Sequence, residues 1–228
     1  MFSDDQENQQ PYHHGNVKEA LIGEAMKFIE ANETEQLSLR RLAKEVGISP
    51  SAVYNHFPDK NALMLAIKAR LYSEFNQYYE AQCQEATDPK AAILEMCLAY
   101  YHFSQEQPAR FQILFASTLP MEWSSPEMVD IACQSIIRLR KLVLEIYHQY
   151  QVPCSEEALV DHTLLIWSQL HGIVSLKNTG GIKAAVTYQN WPQTCALVHD
   201  QDVKRLIKNH VDNTVQSIMN AQYNDSHH

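Results

Sequence analysis

The chain of 228 residues carries 27 acidic and 18 basic side chains, which gives a formal net charge of −9. Its 45% hydrophobic and 20% charged residues are typical of a folded globular protein and exclude a wholly disordered chain. No apolar run is long enough to cross a membrane, the polar N-terminus is unlike a signal peptide, and five scattered cysteines without a Cys-x-x-Cys pair predict reduced thiols in the cytoplasm.

Hydrophobic periodicity predicts an all-α fold, because only six glycines occur and alternation with a period of two residues is nearly absent. Residues 1–14 are polar and aperiodic, and we expect them to be disordered. Residues 15–31 predict a first helix with an apolar stripe that includes Leu21, Ala25 and Phe28.

Residues 38–60 predict two short helices joined by a tight turn. Ser38 can cap the first helix, Gly47 can end it in the left-handed conformation, and Ser49 can cap the second. Pro50 then occupies the first position of that second helix, where proline is tolerated. Two helices across a short glycine-containing turn form a helix-turn-helix, whose second helix can enter the DNA major groove.

The rest of the chain predicts helices that are separated by proline and glycine breaks. Their predicted ranges are 60–85, 88–107, 109–116, 127–151, 155–177 and 201–220. Residues 117–126 predict a loop, whereas residues 182–198 carry no clear prediction.

Basic side chains are concentrated around the predicted helix-turn-helix. Residues 36–70 carry six basic and two acidic groups, a local charge of +4, whereas the remainder of the chain carries −13. Because charges beyond a Debye length of about 10 Å are screened, the local surface matters more for DNA than the total charge does. The acidic remainder predicts modest non-specific affinity and a need for a second DNA-binding copy.

The segment 54–60, with the sequence YNHFPDK, resembles the TetR family of bacterial transcriptional repressors. The similarity is close over about residues 12–84, where YHHGNVKEALIGEAMKFIEA matches the usual first helix of that family. It is weaker afterwards, although the element from Trp167 to Gly172 is similar to a Trp…His-Gly element of one subgroup.

This resemblance implies a helix-turn-helix DNA-binding domain over 15–60 and a helical regulatory and dimerisation domain over 61–228. Asn55 can hydrogen-bond an adenine edge, Ala52 can contact a thymine methyl group, and Lys60 can bind a phosphate. The candidate DNA-binding residues are Ser38, Arg40, Ser49, Pro50, Ser51, Ala52, Tyr54, Asn55, His56 and Lys60.

Two observations limit this assignment. Asn55 and Arg40 can instead be solvated side chains without a base contact. The basic arm that often precedes the first helix in the family is missing, because residues 1–17 contain neither lysine nor arginine.

Aromatic and soft side chains of the predicted body indicate an apolar cavity with a few polar tips, which suits a small hydrophobic or aromatic effector. The candidate ligand-binding residues are Tyr100, Phe103, Phe111, Phe115, Trp123, Trp167 and His171. The alternative is that these aromatic residues form plain core and that His171 is a hydrogen-bonded core residue.

The geometry of DNA predicts a homodimer. Two DNA-binding domains (heads) about 34–36 Å apart can read successive major grooves of a pseudo-palindrome. In the family the helices that correspond to 155–177 and 201–220 pack against their twins as a four-helix bundle, and Gly172 would allow a close approach there. The apolar stripes of these helices can instead be wholly internal.

Together these features predict a ligand-responsive transcriptional regulator, by family default a repressor, in which an effector tilts the long helix over 60–85 and changes the spacing of two heads. The sequence contains no catalytic motif and no histidine cluster at metal-ligand spacing, so we expect no enzymatic activity, no metal and no cofactor. The alternatives are a helical enzyme and a protein-interaction module whose helix-turn-helix does not bind DNA.

Overall fold

A computed structural model describes residues 17–83, 86, 88–115 and 125–224, with side chains described up to residue 220. Within these residues ten α-helices and two short 3-10 turns occur without a β-strand, so the predicted all-α fold is confirmed. The helices are α1 (Val17–Glu30), α2 (Leu39–Val46), α3 (Pro50–Tyr54), α4 (Lys60–Gln82), α5 (Pro89–Glu106), α6 (Pro108–Phe115), α7 (Pro126–Gln149), α8 (Glu156–Thr179), α9 (Gly181–Tyr188) and α10 (Asp200–Asn224). The 3-10 turns are Thr34–Gln36 and Gln193–Ala196.

Two expectations concern residues that the structure does not describe, and one described segment had no clear prediction. The expected disorder of residues 1–14 and nearly all of the expected loop over 117–126 lie outside the described residues. Residues 182–198, which carried no clear prediction, form most of α9 and the second 3-10 turn. In the part of the chain that the structure describes, no helix has both the length and the apolar character that a membrane span requires.

The helices of the predicted helix-turn-helix begin and end as their local sequence predicts. Ser38 Oγ accepts a hydrogen bond from the Arg41 amide at 3.3 Å, and Gly47 ends α2 at a φ of +74°. Ser49 Oγ accepts a hydrogen bond from the Ala52 amide at 3.2 Å, and a proline follows it as the first residue of α3. Because each such cap contributes about 1 kcal/mol, the two caps help short helices to persist.

The described chain divides into two compact units. The first comprises the chain up to Leu71 and the segment that begins at Gln112, and the second comprises Tyr72–Phe111 and the chain from Ser125 onward. The division therefore falls inside α4 and inside α6. The first unit has its own apolar core, whose most buried members, each at most 1% exposed, include Leu21, Ala25, Leu42, Val53, Phe57, Leu63 and Ile67.

In the second unit α5 and α8 each pack against both α7 and α10. The apolar stripe of α10 is buried in this packing, since Val203, Ile207, Val211, Val215 and Ile218 are each at most 4% exposed. This burial corrects the expectation that the stripe faces a partner, because an apolar stripe on the last helix is equally well satisfied inside its own chain. The exposed side of α10 is instead polar and includes Arg205, Asn209, Asn213 and Gln216.

Candidate DNA-binding surface and ligand cluster

Two buried side chains fix the orientation of α3. Val53 is fully buried and Phe57, just after the helix, is only 1% exposed. The Lys18 ammonium lies 6.0 Å from the centroid of the Phe57 ring. Because successive residues of an α-helix are rotated by about 100°, the neighbours of a buried residue point away from the core.

The outward side of α3 and of the turn after it is polar. Pro50, Ser51, Tyr54, Asn55 and His56 are exposed, and this set is called the α3 surface below. Tyr54 leaves 47% of its area in contact with solvent, which is unusual for an aromatic side chain that has an apolar core beside it. The α3 surface thus presents a phenol, an amide and an imidazole side by side, all of which can hydrogen-bond to DNA.

The remaining candidates at the start of α3 have defined positions. Ser49 is exposed, and its Oγ atom lies 3.0 Å from Ser51 Oγ while it caps the helix. Ala52 is half-buried, so only part of its methyl group is available to a base. The cap and the contact between the two hydroxyl groups hold both serines at the edge of the α3 surface.

The exposed basic side chains of the first unit differ in what they contact. Arg40 is exposed, and Ser38 beside it is an exposed cap. Lys60 is also exposed, and its Nζ atom donates to the carbonyl oxygen of Thr34 at 3.3 Å. Arg41 differs, because it donates to Gln36 Oε1 at 2.6 Å and its guanidinium stacks 4.6 Å from the Phe28 ring centroid. The Arg41 side chain therefore ties α2 to α1 and to the first 3-10 turn, whereas the Arg40 side chain is exposed to solvent.

In the second unit Tyr100, Phe111 and His171 form a cluster of rings, called the aromatic cluster below. The Tyr100 hydroxyl lies 2.8 Å from His171 Nδ1. The Phe111 ring meets the Tyr100 ring edge to face at 5.1 Å between centroids and lies nearly parallel to the His171 ring at 6.3 Å. Side chains from α5, α6 and α8 thus converge on one point.

The chemistry of this cluster is mainly apolar with one polar tip. Burial, with a smaller contribution from Tyr72, raises the pKa of Tyr100 well above its usual range, so its hydroxyl stays protonated at neutral pH. A protonated phenol can donate to Nδ1 of a neutral histidine. The cluster therefore combines apolar ring faces with one polar pair, the Tyr100 hydroxyl and His171 Nδ1.

Phe103 joins this cluster through a residue of α4. It is 2% exposed, and its ring lies 4.8 Å from that of Phe75, which in turn meets the Tyr100 ring at 6.2 Å. The sequence places Phe75 on the inward stripe of its helix but contains no signal that pairs this position with α5. The assignment of candidates therefore missed Phe75.

Two of the other predicted ligand-binding residues differ in their burial. Phe115, at the end of α6, is half-buried, and Trp167 leaves 44% of its area exposed on α8. Trp123 lies outside the described residues. Among the residues that the structure does describe, no three histidine, cysteine, aspartate or glutamate side chains are grouped so that they could hold a metal ion.

Comparison with protein families places two known domains on the chain. Residues 21–67 match the family model described as bacterial regulatory proteins of the tetR family. Residues 93–190 match the model described as the tetracyclin repressor-like C-terminal domain. The two matches together span well over half of the chain and include both the helix-turn-helix and the aromatic cluster.

Individual relatives agree with these matches. The nucleoid occlusion factor SlmA of Vibrio cholerae is 26% identical over 140 residues, which is 56% of this chain and 69% of that protein. The uncharacterized HTH-type transcriptional regulator Rv0681 of Mycobacterium tuberculosis is 24% identical over 164 residues, 72% of this chain and 71% of that protein. The structure of the transcriptional regulator SCO7222, a TetR from Streptomyces coelicolor, has a TM-score of 0.64 at 16% identity and covers 90% of this chain and 98% of its own.

Proposed function

Because the chain belongs to the TetR family of DNA-binding transcriptional regulators, which are not enzymes, we propose that it is a repressor that binds a pseudo-palindromic operator as a homodimer. A small hydrophobic or aromatic effector releases it from that operator. Residues 15–60 form the DNA-binding head, and residues 61–228 form the regulatory and dimerisation part. A regulator of bacterial genes acts on the chromosome, so its place of action is the cytoplasm.

The α3 surface carries the DNA-binding half of the proposal, because its polar side chains are exposed while Val53 and Phe57 beside them are buried. Asn55 reads an adenine edge, and Tyr54 and His56 contact the DNA backbone. The contact is completed by Ser38, Arg40, Ser49, Pro50, Ser51 and Ala52.

Lys60 changes its partner when DNA binds. In the free protein its ammonium donates to the neutral carbonyl oxygen of Thr34. Hydrogen bonds between an ammonium group and an anionic phosphate are roughly twice as strong as those between neutral groups. A phosphate near the start of α4 therefore competes successfully for Lys60.

An apolar face on α8 supports the homodimer. Its large side chains are each between 37 and 47% exposed: Val160, Leu164, Leu165, Trp167 and Leu176. Exposed apolar patches of this kind often mark protein–protein contacts. A Cβ atom added at Gly172 would meet no atom within 4 Å, and Ser168 one turn earlier is also small, so a second helix can approach this face closely. The polar outward side of α10 lies beside it in the proposed bundle.

The aromatic cluster supports control by an effector. A ligand that displaces the Tyr100 or Phe111 ring acts on Phe75, which contacts Tyr100, and therefore on α4. This helix begins at Lys60, so a change in its tilt changes the DNA-binding head. A hundredfold loss of operator affinity requires that the effector prefer the released conformation by about 2.7 kcal/mol.

Selection of bound sequences from random double-stranded DNA tests the DNA-binding half. We expect a pseudo-palindrome whose half-sites are separated by about one helical turn or a multiple of it. Asn55→Ala should relax the preference at one base pair in each half-site, a loss of about 1–3 kcal/mol of discrimination. Gln77→Ala, an exposed amide in the second half of α4, should leave the selected sequence unchanged. A folded protein that enriches no sequence would favour the alternative of a protein-interaction module.

A screen of small aromatic compounds by thermal unfolding tests the effector half. A true effector raises the unfolding midpoint of the wild type and lowers its affinity for the selected operator, because it binds the released state more tightly. Tyr100→Phe should weaken both responses together. A compound that stabilises the protein and leaves operator affinity unchanged at saturation contradicts the allosteric proposal.

A further inference from the structure

The segment between α8 and α10, residues 180–198, exposes large apolar side chains and is called the α9 arm below. Tyr188 leaves 86% of its area exposed, Trp191 leaves 49% and Val198 leaves 47%. The arm buries mainly Val186, Ala196 and Leu197. Tyrosine and tryptophan are the residues that most often anchor protein interfaces, so their exposure in the single chain indicates a contact that the single chain lacks.

The arm holds these side chains outward through an ordered backbone. The Trp191 amide donates to the Val186 carbonyl oxygen at 3.1 Å, and the Lys177 ammonium donates to the Val198 carbonyl oxygen at 2.8 Å. Asn190 and Leu197 both adopt positive φ angles, 57° and 53°. For leucine this conformation is costly, and strained backbone persists only where the surroundings enforce it.

The end of the arm is attached to the C-terminal end of α8. The hydrogen bond from Lys177 to the Val198 carbonyl places Val198 near the last turn of α8. Lys177 directly follows the exposed Leu176 in the chain. A partner that covers the α8 face therefore reaches the arm as well.

The area that a stable dimer needs also favours a second copy as the occupant. The five large apolar side chains of α8 are each less than half exposed, whereas an obligate homodimer buries about 1,000 Å² or more per subunit, roughly two-thirds of it apolar. Tyr188, Trp191 and Val198 add to this apolar area, because a large aromatic side chain carries about 150–250 Å² and Tyr188 leaves most of its area exposed. The arm therefore adds substantially to the apolar surface that a dimer formed through α8 and α10 can bury.

Charge complementarity identifies where on the second copy the arm binds. A two-fold axis perpendicular to α8 makes the helix meet its copy antiparallel, so that the C-terminal end of one α8 lies beside the N-terminal end of the other, whereas an axis parallel to α8 would place each arm beside its own copy. The N-terminal turns of α8 carry the exposed acidic residues Glu157 and Asp161. The arm carries the exposed Lys183, and no acidic residue occurs between 178 and 199.

We propose that the α9 arm embraces the first turns of α8 in the second copy of the chain, with Tyr188 and Trp191 as apolar anchors and Lys183 facing Glu157 of the partner. This inference rests on the proposed homodimer and extends it beyond the contact between helices. On this proposal the affinity of the dimer depends on the arm as well as on the contacts made by α8 and α10.

Sedimentation velocity over a concentration series tests the role of the two aromatic anchors. Tyr188→Ala and Trp191→Ala should each raise the dimer dissociation constant by about tenfold or more, because truncation of an interface aromatic is among the costliest changes. Ile137→Ala, which removes a 60% exposed side chain on α7, is the matched control and should leave the constant unchanged. Leu164→Ala on the α8 face tests the underlying dimer separately.

A charge exchange tests the register. Lys183→Glu should weaken the dimer, and Lys183→Glu combined with Glu157→Lys should restore much of the loss. Glu157 lies in the first turn of α8 and Lys183 follows its last turn, about 33 Å away along the helix, so rescue can occur only between two copies.

The outcomes separate the two proposals. If Leu164→Ala weakens the dimer while Tyr188→Ala, Trp191→Ala and the charge exchange leave it unchanged, the dimer stands and the arm contact is wrong. If the wild type is a monomer at all concentrations, the proposed homodimer fails and the arm contact fails with it.

Discussion

Asn76 Nδ2 on α4 donates to Gln134 Oε1 on α7 at 2.9 Å, and the same atom donates to the Ile131 carbonyl oxygen at 2.9 Å. Asn76 is only 9% exposed, so this amide is largely shielded from water. Further along, Arg138 Nη2 on α7 donates to the Cys83 carbonyl oxygen at 3.1 Å, just beyond the end of α4. Within the second unit, α7 therefore holds α4 at two positions, and any movement of α4 must accommodate or break these bonds.

Removal of the buried amide should destabilise the protein. Asn76→Ala takes the donor away from two acceptors, and we expect a loss of about 1–3 kcal/mol in the free energy of unfolding. Gln77→Ala, at the exposed neighbouring position of the same helix, should change that free energy by less than about 0.5 kcal/mol. Urea unfolding of both variants measures the difference, and equal losses would show that the contact with Gln134 contributes nothing specific.

Two glycines of the first unit should respond to alanine with opposite signs. Gly47 has a φ of +74°, a conformation that costs an L-residue about 1–2 kcal/mol, so Gly47→Ala should lower the unfolding midpoint. Gly23 lies inside α1, where an added Cβ meets no atom within 4 Å, so Gly23→Ala should stabilise by about 0.5–1 kcal/mol. Thermal unfolding compares them directly. A stabilising effect at Gly47 would contradict the left-handed end of α2.

Stability should fall at mildly acidic pH through His210. This histidine is 6% exposed, its Nε2 atom lies 3.2 Å from the Ile166 carbonyl oxygen, and burial lowers its pKa below the usual 6.5 despite that hydrogen bond. The unfolded chain therefore binds a proton at a higher pH than the folded chain does. Stability is complete above about pH 6.5 and is lost as the pH falls from there through the lowered pKa of the folded state.

Urea unfolding between neutral and acidic pH measures this effect. His210→Gln retains a donor for the Ile166 carbonyl but cannot titrate, so its stability should decline less steeply with falling pH than that of the wild type. For Asn209→Gln, a change at the exposed neighbouring position, the free energy of unfolding should decline with falling pH as steeply as that of the wild type. A pH dependence of His210→Gln that matches the wild type would assign the acid sensitivity to other groups.

Bulk at Gly172 should weaken the dimer without disturbing the single chain. Because an added Cβ has open space around it, Gly172→Ala and Gly172→Leu should retain the helical content of the wild type. A second α8 that packs closely there leaves no room for leucine, so the dimer dissociation constant should rise from glycine to alanine to leucine. Sedimentation and circular dichroism of the three proteins test both statements. An unchanged dissociation constant for the leucine variant would show that Gly172 does not lie in the dimer interface.

Local features of this fold follow from the sequence, whereas the pairing of distant helices does not. Ser38, Gly47 and Ser49 act on backbone groups no more than five residues away, so their patterns predict the ends of α2 and α3 correctly. Asn76 and Gln134 are 58 positions apart, and no periodicity in either helix indicates that their amides meet.

The body shows the same limit in its apolar stripes. A stripe that packs inside the chain and one that packs on a partner obey the same spacing, which is why the stripe of α10 was misassigned while α8 and the α9 arm carry the exposed apolar surface. Trp167 and Tyr100 are both aromatic residues on amphipathic helices, yet one is 44% exposed and the other 2%. Only the packing of α5, α6 and α8 decides which of them reaches the aromatic cluster.

The salt dependence of operator binding by Lys60→Ala tests the central claim, that the surface around α3 and the start of α4 binds DNA. Each phosphate contact that is lost should reduce the slope of log affinity against log salt by about 0.9, so a dimer should lose about 1.8. Lys141→Ala removes a lysine with a 77% exposed side chain on α7 and should keep the slope of the wild type. If Lys60→Ala is folded, binds the operator and has the same slope as Lys141→Ala, the assignment of this surface to DNA is wrong.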